Sequence, residues 1–307
     1  MNKKFALAIH GGAGTITRAN MSEEKEIAYR AVLELSLKEG HKILNEGGSS
    51  LDAVERAVII LEDSDLFNAG KGSVFNSDGN HELEASIMCG ETLKAGAVGG
   101  AASIKNPIAV SRKIMNSEYV YLTGKGADEY AEEHGFEQVP NSYFYSDFRF
   151  EQWKAAQGSE KMKLDHSVDK KFGTVGAVAV DQAGHLAAAT STGGLVNKKY
   201  GRLGDSSVIG AGVYANDTTC AISCTGYGEF FLRGVVAHDI SCLMEYKGLS
   251  LEEAAQIVIN EKQIKLGGEG GIIGVDGLGN VSLVFNSEGM YRGSINQEGN
   301  AEVAIYS

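Results

Sequence analysis

A chain of 307 residues with 43% hydrophobic side chains can bury a sizeable core, as one large domain or two small ones, and is not disordered as a whole. Its 40 Asp and Glu against 28 Lys and Arg leave a net charge of -12, which would repel phosphate backbones and anionic bilayers, so no nucleic-acid or membrane partner is expected. The four cysteines, Cys89, Cys220, Cys224 and Cys242, stand in no CxxC or His-rich setting and read as buried thiols of a reducing compartment rather than a metal or redox site.

The first residues carry two lysines before a short apolar run that stops at His10-Gly11 with no small-residue cleavage pattern; they read as a strand over 5–9, not a signal peptide. No stretch approaches the roughly 18 consecutive apolar residues of a membrane span, which points to a cytoplasmic protein. The glycine-rich run 10–14 reads as a loop, and it matches neither of the phosphate-cradling patterns GxGxxG and GxxxxGK[ST]. Helical periodicity predicts helices over about 23–45 and 51–62, the second capped by Ser49 or Ser50. A third follows Asn106-Pro107, where proline suits the first turn. Strand character marks 72–75, 83–88 and 119–122.

Between about 138 and 171 the aromatics of Tyr143-Phe144-Tyr145 give way to a charged, glycine-poor run without clean periodicity, which reads as an exposed linker that tolerates a cut. Strands over 175–180 and 185–190 then flank the turn 181–184, a hairpin signal. Helices over 229–247 and 251–261 follow, and strands over 271–275, 281–285, 289–292 and 302–306 close the chain. Strands and helices come in runs rather than in strict alternation, which predicts an α+β fold of two antiparallel-rich sheets between helix layers.

Gly173-Thr174-Val175-Gly176-Ala177-Val178-Ala179 places a threonine at the start of an apolar strand, just after the irregular segment. A threonine hydroxyl is a weak nucleophile until a base takes its proton. An α-amine on the same residue can be that base, because its ordinary pKa of about 7.7 to 8.0 lies close to working pH. Thr174 is internal, so the bond to Gly173 must break first, and glycine there allows strained backbone. Taken alone, a Gly-Thr pair opening a strand is ordinarily only that.

Within about 55 residues come Ser191-Thr192-Gly193-Gly194, Arg202 with Gly204-Asp205, and Thr225-Gly226-Tyr227-Gly228-Glu229. Upstream stand Ile9-His10-Gly11-Gly12-Ala13-Gly14, Leu66-Phe67-Asn68-Ala69-Gly70-Lys71-Gly72 and Glu84-Ala85-Ser86-Ile87-Met88. With these motifs in this order the chain resembles, over nearly its whole length, the plant-type asparaginase and isoaspartyl peptidase family, whose precursors split before a threonine in GTVGAVA. The resemblance implies a single four-layer αββα sandwich of N-terminal-nucleophile hydrolases over 1–307. Cleavage would yield an α-subunit, 1–173, ending in the linker 138–173, and a β-subunit, 174–307. The implied activity is hydrolysis of L-asparagine and of β-aspartyl dipeptides.

Residue by residue, the resemblance makes Thr174 the nucleophile and Thr192 its supporting hydroxyl, with Thr225 and Gly226 holding the oxyanion and Asn68 ordering the surroundings. Arg202 and Asp205 would grip the α-carboxylate and α-ammonium of the aspartyl moiety, chemistry their charges suit; from spacing alone they read as a surface ion pair. Gly228 would line the same pocket. Main-chain carbonyls of Leu61, Glu62, Ser64, Phe67, Ala69 and Lys71 would wrap a structural sodium ion, with no cofactor needed for catalysis. A dimer of processed heterodimers is implied. The chain departs from the family pattern at Cys89, where aspartate is expected, and at Lys71, beside the ion loop. Two readings compete: a glycosylasparaginase, although those carry aspartate where Gly173 stands, and an unprocessed amino-acid-binding protein.

Overall fold

The structure, a computed structural model, describes residues 4–157 and 173–307. In chain order its elements are β1 (Ala6–Gly14), α1 (Glu23–Asn45), α2 (Ser50–Glu62), β2 (Leu83–Cys89), β3 (Ala95–Ala101), α3 (Pro107–Met115), β4 (Tyr121–Thr123), α4 (Gly124–Glu133) and α5 (Asp147–Ala156). After the second described segment begins come β5 (Val175–Val180), β6 (Leu186–Thr192), β7 (Val213–Ala215), β8 (Cys220–Gly226), α6 (Gly228–Gly234), α7 (Val236–Lys247) and α8 (Leu251–Gln256), which runs on into a π-helical stretch. The chain finishes with β9 (Gly270–Asp276), β10 (Val281–Phe285), β11 (Gly289–Asn296) and β12 (Ala301–Tyr306).

The strands form an eight-stranded sheet, β12-β11-β1-β5-β6-β2-β3-β4, and a four-stranded sheet, β10-β9-β8-β7. All the strand pairs are antiparallel except β3 with β4. Side-chain alternation separates three cores. Leu7 and Ile9 of β1, Val175, Ala177 and Ala179 of β5 and Ala187 and Ala189 of β6 face the layer formed by α1, α2 and α3. Their neighbours Ala6, Ala8, Val178, Val180 and Ala188 face the second sheet, meeting Ala221, Ile273 and Val275. The other face of that sheet, with Ile222, Cys224 and Ile272, packs on α7 and α8. The result is the expected αββα sandwich, and strands buried on both faces explain their near-continuous small apolar sequence.

Helix starts follow local chemistry. Ser22 and Ser49 accept from the N–H groups of Lys25 and Asp52, capping α1 and α2, and Pro107 opens α3. The 175–180 and 185–190 hairpin is present as β5 and β6.

Several expectations fail. The run 10–14 is not a loop but the bulged end of β1, paired to β11. The strand expected at 72–75 is instead a 3-10 turn, Gly70–Gly72, running into irregular chain. The 119–122 strand shifts to Tyr121–Thr123, and β3, α4, β7 and β8 went unread. The linker expected from 138 is folded through residue 157: Phe144 is fully buried, and α5 docks by a buried Arg149 whose Nε donates to Gly72 O at 2.8 Å. The remainder of that linker, 158–172, lies outside the described residues. The long helix expected over 229–247 breaks at Val235, whose φ of 47° is left-handed. That break frees the first N–H groups of α7, and those of Ala237 and His238 donate to Ala211 O and Gly210 O. Of the four thiols, Cys242 is only partly buried. Among the described residues no helix is long and apolar enough to cross a membrane.

Candidate active site

Because β5 runs antiparallel to both β1 and β6, its start lies beside the ends of those two strands. The end of β8 comes in from the second sheet, and Ala13 N donates to Thr225 Oγ1 at 3.3 Å. Four strand ends thus converge on one cleft. Eight of the nine residues expected to be catalytic, substrate-binding or at the scissile bond line it: Asn68, Gly173, Thr174, Thr192, Arg202, Asp205, Gly226 and Gly228. The ninth, Thr225, is fully buried immediately behind Gly226.

Thr174 Oγ1 donates to Thr192 Oγ1 at 3.1 Å. The Thr192 oxygen also accepts from Gly194 N at 3.0 Å, and its proton points to Asn68 O at 3.4 Å. Asn68 clips this turn to its own segment: Nδ2 donates to Gly194 O at 2.7 Å, Oδ1 accepts from Val74 N at 2.9 Å, and its carbonyl accepts from Gly193 N at 2.9 Å. Gly173 packs against the same residue. A Cβ there would collide with Asn68 Cβ and stand 2.6 Å from its backbone nitrogen, so only glycine fits at the position preceding Thr174.

Arg202 and Asp205 both line the cleft, but they are not a surface ion pair. The Arg202 guanidinium is largely buried and is held by Glu229, which accepts from Nε and Nη2 at 2.9 Å each. Asp205 is buried, and among the described residues its Oδ2 has no hydrogen-bond partner. Burial pushes its carboxyl up to about 7, against the opposing pull of Arg202. The cleft therefore presents a fixed cation and an unsatisfied buried acid on one wall, and a paired hydroxyl on another.

The loop bearing Arg202 and Asp205 is fixed from beneath. Gly204 N donates to Glu84 Oε2 at 2.7 Å, and the fully buried Glu84 has Lys198 Nζ 3.5 Å from its other oxygen. Lys198 in turn donates to Glu82 O at 3.0 Å. Sequence reading assigned no role to Glu229, Glu84 or Lys198, although the first two stand inside motifs that it singled out.

In the loop expected to wrap an ion, Leu61, Glu62, Phe67 and Ala69 are buried while Ser64 and Lys71 are partly exposed. A Cβ at Gly70 would collide with Glu62 O, which shows how closely the turn folds back on the end of α2. The Glu62 side chain accepts from Ser191 Oγ at 2.7 Å, linking this loop to the residue before Thr192, and burial pushes its carboxyl up to about 8. Among the described residues no cluster of three or more His, Cys, Asp or Glu side chains is placed to hold a metal.

Comparisons with known proteins place the whole chain in one family. The family model described as Asparaginase matches residues 3–305. An isoaspartyl peptidase of Salmonella typhimurium is 51% identical over 94% of this chain and 94% of its own length. The Escherichia coli isoaspartyl peptidase is 50% identical over 94% of this chain and 92% of its own length. A probable isoaspartyl peptidase/L-asparaginase 2 of Arabidopsis thaliana is 40% identical over 98% and 99%.

Proposed function

Since the chain belongs to the asparaginase family and is a hydrolase of asparagine and β-aspartyl peptide bonds, we propose that it acts through Thr174, freed as an amino terminus by scission of the Gly173–Thr174 bond. The observation that carries this reading is the Thr174 hydroxyl, 3.1 Å from Thr192 Oγ1 in a cleft shared with Arg202 and Asp205. The released α-amine takes the hydroxyl proton, and Thr192 Oγ1 supports the oxygen as it attacks the side-chain carbonyl of the substrate. Thr225 accepts from Ala13 N, so its own proton stays available to the oxyanion, together with the N–H of Gly226. Collapse, with the Thr174 ammonium returning its proton to the departing nitrogen, expels ammonia or an amino acid and leaves an aspartyl ester on Thr174; water, activated by the same amine, then releases aspartate.

Arg202 takes the substrate α-carboxylate and Asp205 the α-ammonium, which would satisfy the orphaned Oδ2. The loop over 61–71 holds a structural sodium ion through main-chain oxygens; its tight return at Gly70 supports this, because carbonyl ligands need close convergence of backbone rather than acidic side chains. The mature protein is a cytoplasmic dimer of heterodimers, 1–173 with 174–307. Purified protein should show two fragments on a denaturing gel, the smaller beginning at Thr174, and Thr174→Ala should stay whole and inactive on asparagine and on a β-aspartyl dipeptide. A whole chain that is fully active would sink the proposal.

A further inference from the structure

Thr174 lies beyond the last rung of its sheet. The pairing of β5 with β1 ends at Gly176 opposite His10, and that with β6 ends at Val175 opposite Ser191. A chain end outside a ladder frays unless something ties it down. Among the described residues two side-chain hydrogen bonds reach Thr174: one with Thr192 at its hydroxyl, and one from the ring of His10, whose Nδ1 is 3.0 Å from the Thr174 carbonyl oxygen. The hydroxyl contact cannot be the permanent tether, since that oxygen becomes an ester during each turnover. The carbonyl contact is untouched by the chemistry.

The His10 ring is itself fixed. It is fully buried, and its Nε2 lies 2.9 Å from Ser223 Oγ, which is 2.7 Å from Thr190 Oγ1. A carbonyl oxygen only accepts, so Nδ1 must carry the proton. Burial lowers the ring to about 3, so it is neutral near pH 7 and Nε2 is bare. Ser223 therefore donates its one proton to Nε2, and the single Thr190 proton, which has Gly212 O at 3.1 Å as a second acceptor, goes to the closer Ser223 oxygen at 2.7 Å. A Cβ at Gly176 would collide with both His10 Nε2 and Ser223 Oγ, so glycine at this position makes room for the contact.

Resting on the reading of Thr174 as the mature N-terminal nucleophile, we infer that His10 is a positioning residue that tethers the freed Thr174 by its carbonyl, with Ser223 and Thr190 holding the imidazole in the Nδ1–H tautomer. The tether sets where the amine and hydroxyl stand without touching the reacting atoms. A neutral ring also adds no positive charge beside the amine that must act as base.

Two substitutions divide the ring's two nitrogens. His10→Asn places an amide nitrogen near the Nδ1 position and keeps the donor to Thr174; His10→Gln places one near Nε2, keeps the Ser223 side and loses the tether. With active sites counted by the sequenced Thr174 terminus, His10→Gln should lose roughly tenfold or more in kcat at nearly unchanged KM. His10→Asn should stay within about threefold of wild type. Equal losses in both would reduce His10 to core packing and overturn the inference. Should the glutamine variant fail to fold or mature, nitrogen NMR of wild-type imidazoles decides. The expected signature is a protonated Nδ1 with a bare Nε2, perturbed in Ser223→Ala. A proton on Nε2 would refute the tether. Activity surviving in Thr174→Ala would instead refute the nucleophile assignment, and the NMR result stands apart from that outcome.

Discussion

Both oxygens of Glu229 lie 2.9 Å from the Arg202 guanidinium, one on Nε and the other on Nη2, so the fork of this arginine is occupied by a protein carboxylate before any substrate arrives. The guanidinium is thereby aimed rather than neutralised: Glu229 is partly exposed, and Arg202 still lines the cleft. A substrate α-carboxylate must meet the remaining Nη1 edge or displace Glu229.

Arg202→Ala should mature normally, because the bond before Thr174 offers no free α-carboxylate to this side chain. On asparagine it should lack a charge-assisted hydrogen bond of about 1.5 to 3 kcal/mol, which lowers kcat/KM roughly ten- to hundredfold. Lysine should rescue only part, since it cannot form the paired contact to Glu229. Unchanged kcat/KM in a fully processed alanine variant would show that something else anchors the α-carboxylate.

Glu229→Gln keeps the size of the side chain and removes the charge that aims Arg202. A rise in KM of a few-fold with little change in kcat is expected, because in the proposed mechanism the Glu229–Arg202 pair serves substrate binding and not the reacting bond. Steady-state assays of the processed variant check it; a fall in kcat alone would place Glu229 in the chemistry.

How far the sequence could be read depends on what each residue's job leaves visible. Thr174, Thr192 and Thr225 were legible through the order of several glycine-flanked motifs, each ordinary when taken alone, and the hairpin of β5 and β6 follows from two small apolar runs flanking the turn 181–184. Glu229 did not read as the partner of Arg202, since a pairing across 27 positions in sequence is fixed only when the start of α6 meets the 202–205 loop. The burial of Asp205 was equally hidden, because a charged residue three positions from an arginine looks like a surface pair. α5 escaped detection because its buried residues are Arg149 and Ala156, which make no apolar stripe. His10 was taken into a loop because three of the four residues after it are glycine, whereas β1 continues through them with a bulge.

Gly173→Ala tests the fit of the scissile position. The added Cβ would collide with Asn68, and Asn68 cannot retreat without breaking its bonds to Gly194 O and Val74 N. Maturation should slow by an order of magnitude or more, while material that does split should turn over asparagine at the wild-type rate, since Gly173 then ends the other fragment. A time course of fragment appearance on a denaturing gel measures the first effect. Wild-type maturation in the alanine variant would show that the backbone around Asn68 yields.

The pH dependence follows from Asp205, whose burial holds its carboxyl at about 7. In the free enzyme the group is neutral below that value and cannot pair with the substrate α-ammonium, so kcat/KM should fall as pH drops through 7. Bound substrate supplies a cation beside the carboxylate and lowers its pKa, so kcat should keep only the limb of the Thr174 amine, whose ordinary range is about 7.7 to 8.0. Asp205→Asn removes the ionisable group: kcat/KM should be low at every pH, and the limb near 7 should vanish. Stability should shift in a definite direction as well. The folded carboxyl titrates near 7 and the unfolded one near 3.8, so the folded state keeps a proton that the unfolded chain has lost, and stability declines as pH rises across that window. The asparagine variant should not share that decline, and urea midpoints of wild type and variant between pH 4 and 8 measure the difference. Parallel pH profiles for kcat/KM in the two proteins would mean that Asp205 stays charged throughout and that the amine of Thr174 alone sets the acid limb.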